Sequence, residues 1–298
     1  MCINMQGQTI KYCPVQKEHA MEKIAVIPNS TKDIGLSVTR RLVEYLSPRA
    51  QVHMEKQYEG TGLPARFCGP ELFDLVDCVI VLGGDGTILK VAEPCGRRAI
   101  PVMGVNLGKV GFMAEIETAD MEAACDRLLA GDYAVEKRMM MRVVIRKDGR
   151  DAVVCHALND VVVAKMEAQL IALSIFSDGV RINAYTADGV IIATPTGSTG
   201  YSLSAGGPVA DPTMELFIAS PICAHMLNAR PALMHAEHPV TLRLSETGAE
   251  SASVTVDGEI QARIGLEDEV LISKSGYTVP LVKLGTQSFY DTLIQKLT

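Results

Sequence analysis

The segment that most restricts the fold is Cys78–Leu82, "CVIVL", which runs straight into "GGDGT" at 83–87. An unbroken apolar, β-favouring run is what a strand buried on both faces requires, and such strands belong to parallel sheets covered by helices. The flanking sequence agrees. Residues 22–29, "EKIAVIPN", read as a first strand, and Asn29-Ser30 is placed to cap the helix after it. In that helix Ile34, Val38, Leu42 and Leu46 recur every fourth position and share one face. "AQVHME" at 50–55 reads as a second strand, and "TILKVAE" at 87–93 starts a helix. "AIPVMGVN" at 99–106 gives a further strand, and "ADMEAACDRLLA" at 119–130 gives a helix capped by Thr118 and closed by Gly131. This alternation predicts an α/β fold, a doubly wound parallel sheet over 22–132, with ligands bound beyond the carboxyl ends of the strands.

After Tyr133 the rhythm changes. "MRVVIRKDGRDAVVCHA" at 141–157 is a hairpin pattern turning at Asp148-Gly149. Short strands follow at "DVVVAK", "LIALSIF", "GVRINAY", "GVIIAT", "VTLRLS", "SVTVDG" and "EVLISK", with little helical pattern between them. Residues 133–283 therefore read as a β-rich second domain. The segment 284–298 contains a helix, "SFYDTLIQKL", with Phe289, Leu293 and Leu297 on one face, expected to return to the first domain. Residues 1–21 show no period and are expected to form a loosely held arm.

Composition excludes several classes. With 48% hydrophobic residues among 298, the chain buries a substantial core. Its net charge of −7 and lack of any Lys/Arg run argue against a nucleic-acid partner. No stretch approaches the roughly 20 apolar residues of a membrane span, and the first residues lack a signal-peptide pattern. Eight cysteines without a C-x-x-C pair suit a reducing cytoplasm rather than a disulfide framework or zinc ribbon.

The glycine stretch is neither a Walker loop nor a dinucleotide fingerprint, since neither G-x-x-x-x-G-K-[ST] nor G-x-G-x-x-G is satisfied. It reads either as a tight strand-to-helix turn in which Asp85 or Thr87 caps, or as a cradle that Gly83, Gly84 and Gly86 open to a ligand. A carboxylate there can accept a hydrogen bond from a hydroxyl attacking phosphorus, while backbone N–H groups and Mg²⁺ meet the phosphate charge. "GVNLGKVGF" at 104–112 suggests a second loop at a strand end, carrying Asn106 and Lys109 as possible phosphate contacts.

The segment "ADGVIIATPTGSTGYSLSAGGP", from Ala187 to Pro208, interleaves seven hydroxyls (Thr194, Thr196, Ser198, Thr199, Tyr201, Ser202 and Ser204) with Gly197, Gly200, Gly206 and Gly207. It is either a Ser/Gly surface loop or a lining for a nucleotide's base and ribose. Asn159-Asp160 before "VVVA" is a turn signal whose amide can read an adenine edge and whose acid can hold an amine, hydroxyl or metal. His235 and His238 lack a third ligand, and Met139–Met141 reads as core rather than a metal site.

Taken together, "GGDGT", "GVNLGKVGF", "ALND", "ADGVIIATPTGSTGYSLSAGGP" and "VDG" resemble, in order and rough spacing, the NAD kinases, from about Glu22 to the C-terminal helix. "GGDGT" alone is shared with diacylglycerol and sphingosine kinases, whereas the long hydroxyl segment is specific. The resemblance implies an α/β domain followed by a β-sandwich-like domain and a homo-oligomer, a dimer or tetramer. It implies transfer of the terminal phosphate of ATP, or of polyphosphate, to the adenosine 2′-hydroxyl of NAD with a divalent metal such as Mg²⁺. By motif, Asp85 resembles the acceptor-side carboxylate, with Gly83, Gly84, Gly86 and Thr87 along the phosphate path. Asn159 and Asp160 resemble the pair holding adenosine, and Thr196, Ser198, Thr199, Gly200 and Tyr201 match the hydroxyl loop. Asp188 resembles the acid that reaches the nicotinamide end from a neighbouring subunit, and Phe112 resembles a residue beside the substrate. Asp160 stands where glutamate is frequent, and Gly200 where alanine is usual. Two other readings remain at this stage: a lipid kinase of the GGDGT type, and a dinucleotide sensor without catalysis.

Overall fold

The computed structural model describes residues 21–108, 111–226, 228–285 and 288–297. The expected arm therefore lies outside the described residues except for Met21, as does Lys109. The chain divides into two compact units: one formed by residues up to Lys137 together with those from Pro280 onward, the other by Arg138–Val279.

The first unit contains β1 (Lys23–Pro28), α1 (Ser37–Leu46), β2 (Gln51–Glu55), β3 (Arg66–Cys68), β4 (Cys78–Gly83), α2 (Asp85–Arg98), β5 (Val102–Asn106), β6 (Ile116–Glu117) and α3 (Met121–Ala130). The strands pair in parallel in the order β3-β2-β1-β4-β5. Every residue of β4 is buried, as its uninterrupted apolar run requires. Ile24, Val26, Ile80, Leu82, Met103 and Val105 join one core with Leu42, Val43 and Leu46 of α1 and Met121, Cys125 and Leu128 of α3. Val79 and Val81, of opposite side-chain parity, are equally buried, and α2 contributes Ile88, Val91, Ala92 and Cys95 outside that cluster. Both faces of the sheet are thus covered. Register places Gly83 of β4 opposite Asn106 of β5, so the loops after both strands leave the sheet at neighbouring carboxyl ends.

Two local expectations are corrected. The carboxylate of Asp33, rather than Asn29 or Ser30, receives the first amides of α1, from Val38 at 3.1 Å and Thr39 at 2.8 Å. Burial opposes the Asp33 charge, but hydrogen bonds from Thr39, Val38 and Ser37 outweigh it and hold the carboxyl below its usual range. Gly104 lies inside β5, not in the loop that follows it.

The second unit holds most of β7 (Ala134–Lys147), then β8 (Arg150–Ala157), β9 (Asp160–Lys165), β10 (Ile171–Ser177), β11 (Val180–Ala187), β12 (Gly189–Ala193) and one helical turn, α4 (Tyr201–Ser204). It continues with β13 (Leu216–Ile222), β14 (Ala232–His235), β15 (Val240–Leu244), β16 (Ser251–Val256), β17 (Glu259–Gly265) and most of β18 (Glu269–Lys283). One antiparallel sheet runs β14-β13-β12-β9-β16-β17. Antiparallel pairs β11-β10-β15-β18 and β7-β8 complete the unit. Met141, Val143, Leu173 and Leu242 from the latter strands share one core with Val163, Ile192, Phe217 and Val254 from the former sheet. The Met139–Met141 run is buried there, so it is packing.

Leu281, near the end of β18, pairs in parallel with Val102 in the first unit, which also holds α5 (Phe289–Leu297). The Phe289 ring packs against Phe112 with centroids 5.7 Å apart. No disulfide joins the six described cysteines, and no described helix is long and apolar enough to cross a membrane.

A Cβ at Gly104 would fall 2.8 Å from both the Cα of Ala114 and the Cδ1 of Ile88. Gly104→Val is therefore expected to destabilise the chain by roughly 1–3 kcal/mol through overpacking, measured as a lowered urea midpoint at unchanged slope.

Candidate active site

In the first unit the site grows from the end of β4. Gly84 is extended and α2 begins at Asp85, so the N-terminus of a 14-residue helix faces the turn. The helix dipole and the unpaired first amides favour an anion there. Gly86 has open space where a side chain would stand, whereas Thr87 is only 4% exposed. The Thr87 hydroxyl accepts from the Asn29 side-chain amide at 3.0 Å, tying the β1–α1 loop to the first turn of α2. Thr87 therefore supports the turn from beneath and offers no surface hydroxyl to a phosphate.

Asp85 is half-buried and held by three successive amides. Its Oδ2 accepts from Phe112 N at 2.8 Å, and its Oδ1 accepts from Met113 N at 3.0 Å and Ala114 N at 3.1 Å. Charge-assisted bonds of this kind fix both the acid and the loop that supplies the donors. Gly111 makes the approach possible, since a Cβ there would fall 2.0 Å from Asp85 Oδ1. Each carboxylate oxygen accepts about two hydrogen bonds, so among the described residues Oδ2 retains one open acceptor position while Oδ1 is filled. Phe112 is thus joined to Asp85 through its backbone, and its ring carries the Lys296 ammonium 4.5 Å from the centroid. Asn106 is 4% exposed, and its amide closes its own loop against Gly108 at 3.1 and 3.2 Å.

In the second unit the site is built around Asp257. This residue has a positive φ of 47° at the turn between β16 and β17. Its carboxylate accepts from Leu158 N at 2.7 Å, Asn159 N at 2.8 Å and Asp160 N at 3.1 Å. The hydroxyl segment then crosses the same turn. Thr194 N donates to Asn159 O at 2.8 Å, and Thr194 Oγ1 donates to Leu158 O at 2.6 Å. Gly197 passes so closely that a Cβ would fall 2.1 Å from Asn159 O. The Asn159 Oδ1 is buried and, among the described residues, has no hydrogen-bond partner. A buried acceptor left in that state costs about 1–3 kcal/mol unless a bound donor meets it.

The hydroxyls divide into two groups. Thr194, Thr196, Ser198 and Ser202 are buried. Ser198, expected among the nucleotide-facing hydroxyls, instead accepts from Ala210 N at 3.1 Å within the fold. Ser202 and Ser220 bond each other at 2.9 Å. The guanidinium of Arg138, itself 2% exposed, reaches Thr196 Oγ1 at 3.5 Å. Thr199 and Gly200 are half-buried, and Tyr201 and Ser204 are exposed, so the hydroxyls that the segment offers at its surface lie at 199–204. A methyl on Gly200 would sit 3.6 Å from Asn159 Nδ2 and 3.8 Å from Asp160 Oδ2. Asp188 pairs with Lys165 at 2.5 Å.

Asp160 is 7% exposed, and burial together with the Asp257 charge pushes its carboxyl up to about 7. Burial raises Asp257 too, against the pull of its three amide donors, with Glu259 adding to the rise. Of this pair Asp257 keeps the charge, because the amides point at it. Near neutral pH, Asp160 therefore holds a proton for much of the time and can donate as well as accept.

Lys165 and Asp257 were not named from sequence, and Asn29 was read only as part of a helix cap. For Asp257 a signal existed, since "VDG" follows an alternating strand. Its role depends on a contact across about a hundred residues, which spacing does not reveal.

Two family models match the chain: the ATP-NAD kinase N-terminal domain over residues 24–133 and the ATP-NAD kinase C-terminal domain over 158–284. The NAD kinase of Lachnoclostridium phytofermentans is 40% identical, the alignment covering 93% of this chain and 99% of the relative. That of Caldanaerobacter subterraneus is 36% identical with the same coverage. Among solved structures, an NAD kinase from Archaeoglobus fulgidus in complex with ATP superposes with a TM-score of 0.72 at 28% identity, over 92% of this chain and 98% of that one. A yeast NADH kinase complexed with NADH has the same fold, with a TM-score of 0.83 at 24% identity over 93% and 86% of the two chains.

The folded chain holds a proton on Asp160 up to about pH 7, whereas the unfolded chain releases it near 3.8. The folded state thus binds the extra proton between those values, and stability falls as pH rises through that window. Asp160→Asn is expected to flatten this fall, read as urea midpoints from pH 4.5 to 8.

Proposed function

This chain belongs to the ATP-NAD kinase family and phosphorylates NAD to NADP, and we propose that Asp85 orients the attacking adenosine 2′-hydroxyl. The observation that carries this reading is the open acceptor position on Asp85 Oδ2, on a carboxylate whose place is fixed by amides from Phe112, Met113 and Ala114. A hydroxyl donating to Oδ2 is turned with its oxygen lone pairs toward an incoming phosphorus. The 2′-oxygen then bonds to the terminal phosphorus of ATP, the bond from that phosphorus to the bridging oxygen breaks, and ADP departs. The hydroxyl proton passes to Asp85 and from there to water. The amides at the start of α2, left open at Gly84 and Gly86, receive the transferring phosphoryl group, while Gly83, where a Cβ would fall 2.2 Å from Thr87 Oγ1, lets Thr87 pack beneath the turn.

The adenosine part is assigned to the Asn159–Asp160 turn. The unpartnered Asn159 Oδ1 accepts from the dinucleotide, and Asp160 meets a ribose or base heteroatom. Thr199, Gly200 and Tyr201 line the base and ribose with the buried Thr196 supporting them from within, and Asp188 reaches the nicotinamide end from a neighbouring subunit of a dimer or tetramer. Phe112 flanks the substrate. Among the described residues no group of three or more His, Cys, Asp or Glu side chains is placed to hold a metal. The divalent ion is assigned as Mg²⁺, which would neutralise the charge of the donor's phosphates. The chain is assigned to the cytoplasm.

The test supplies the purified chain with NAD, Mg²⁺ and either ATP or polyphosphate, and reads NADP with an NADP-specific dehydrogenase. Product is expected with ATP. Asp85→Asn is expected to reduce turnover by roughly 10²-fold or more while NAD still binds. Full activity in that variant overturns the role given to Asp85.

A further inference from the structure

The glycine cradle contains an acid where other phosphate loops contain a lysine, and the first unit supplies the missing cation from elsewhere. Gly84 has φ −160° and ψ −171°, an extended conformation open to any residue, so backbone torsion does not demand glycine there. What a Cβ would meet is the Lys32 ammonium: Nζ lies 3.2 Å from that position, ahead of Asn106 Oδ1 at 3.9 Å. The same Nζ lies 3.8 Å from a Cβ built at Gly108, in the loop after β5. Lys32 thus stands over the two loops that leave the neighbouring carboxyl ends of β4 and β5.

The placement is built into the loop. The Asn29 side chain accepts from Thr31 N at 3.1 Å and Lys32 N at 3.3 Å, and its amide donates to Thr87 Oγ1 at 3.0 Å. The Asn29 carbonyl accepts from Lys32 N at 3.0 Å and Asp33 N at 2.9 Å. Asp33 in turn caps α1. A rigid turn therefore aims Lys32 from the first strand at the start of α2. Among the described residues its ammonium has no ion pair or hydrogen bond, so its charge is not committed to another group.

We propose that Lys32 is the donor-side cation of this enzyme, binding the β- and γ-phosphate oxygens of ATP above Gly84. This rests on the kinase reading above and extends it to a residue outside the glycine motif. An ammonium there offsets the charge of the leaving diphosphate as the bond to the terminal phosphorus lengthens, which the carboxylate of Asp85 is unable to do. A compact cation on a flexible stem suits phosphate oxygens whose positions shift during transfer.

The experiment compares the full chain with Lys32→Ala, Lys32→Arg and, as control, Lys90→Ala, an exposed lysine on α2 outside the cradle. ATP binding is measured directly by calorimetry with Mg²⁺, and kcat and KM are measured with ATP varied at saturating NAD. Lys32→Ala is expected to weaken ATP binding and to lower kcat/KM for ATP at least tenfold, with NAD binding within twofold of the parent. Lys32→Arg should recover most of the loss, and Lys90→Ala should match the parent. Parent-like ATP binding and kcat/KM in Lys32→Ala would overturn the proposal. If the parent binds ATP more tightly than Lys32→Ala but forms no NADP, Lys32 keeps its phosphate role and the kinase reading fails instead.

Discussion

A carboxylate that accepts three successive backbone N–H groups is unable to move without stranding them, and each unit of this chain contains one. Asp85 holds the amides of residues 112–114, and Asp257 holds those of 158–160. In both cases an acid at one turn fixes a second turn that carries the recognition groups. Loops are ordinarily the mobile part of a fold, and these are held by charge-assisted bonds as well as by the burial of Met113, Ala114 and Leu158. The geometry of Phe112, Asn159 and Asp160 follows from those two contacts.

The parallel unit was legible in the sequence because its signals are local. "CVIVL" announces a strand buried on both faces, and the spacing of Val38, Leu42 and Leu46 announces the helix covering one of them, although Ile34 of the same series lies ahead of α1 and is exposed. The β-rich unit was legible as a class from its short apolar runs, but not as a strand order. β9 lies between β12 and β16, partners about thirty and ninety residues away, and no periodicity encodes that choice. Cap assignment failed at Asn29-Ser30 because Asn29 serves its own turn and Thr87, leaving Asp33 to meet the α1 amides.

The candidate site was legible in its residues and less so in their division of labour. Composition left the hydroxyls of 194–204 as either a surface loop or a nucleotide lining. Thr194, Ser198 and Ser202 satisfy Leu158, Ala210 and Ser220, so part of the segment is scaffold for the hydroxyls exposed between 199 and 204. The opening oddity of the glycine stretch has a similar resolution. An acid occupies the phosphate loop because it anchors the neighbouring loop, and Lys32 arrives from a segment more than fifty residues earlier.

The close approaches at Gly111 and Gly197 have a consequence for how such a chain can change over generations. At both positions the space a methyl would need is already filled, by Asp85 Oδ1 and by Asn159 O. Neither position has a single-step neighbour that leaves the opposing turn in place, so drift there requires a simultaneous, compensating change in a distant segment. Gly200 is different, since a methyl there meets its surroundings at 3.3 Å or more. Alanine at the half-buried Gly200 therefore asks only a few tenths of an ångström from the carbonyl of Gly197 in its own turn, while the glycines that let one turn lie on another are held in pairs with the residues they touch.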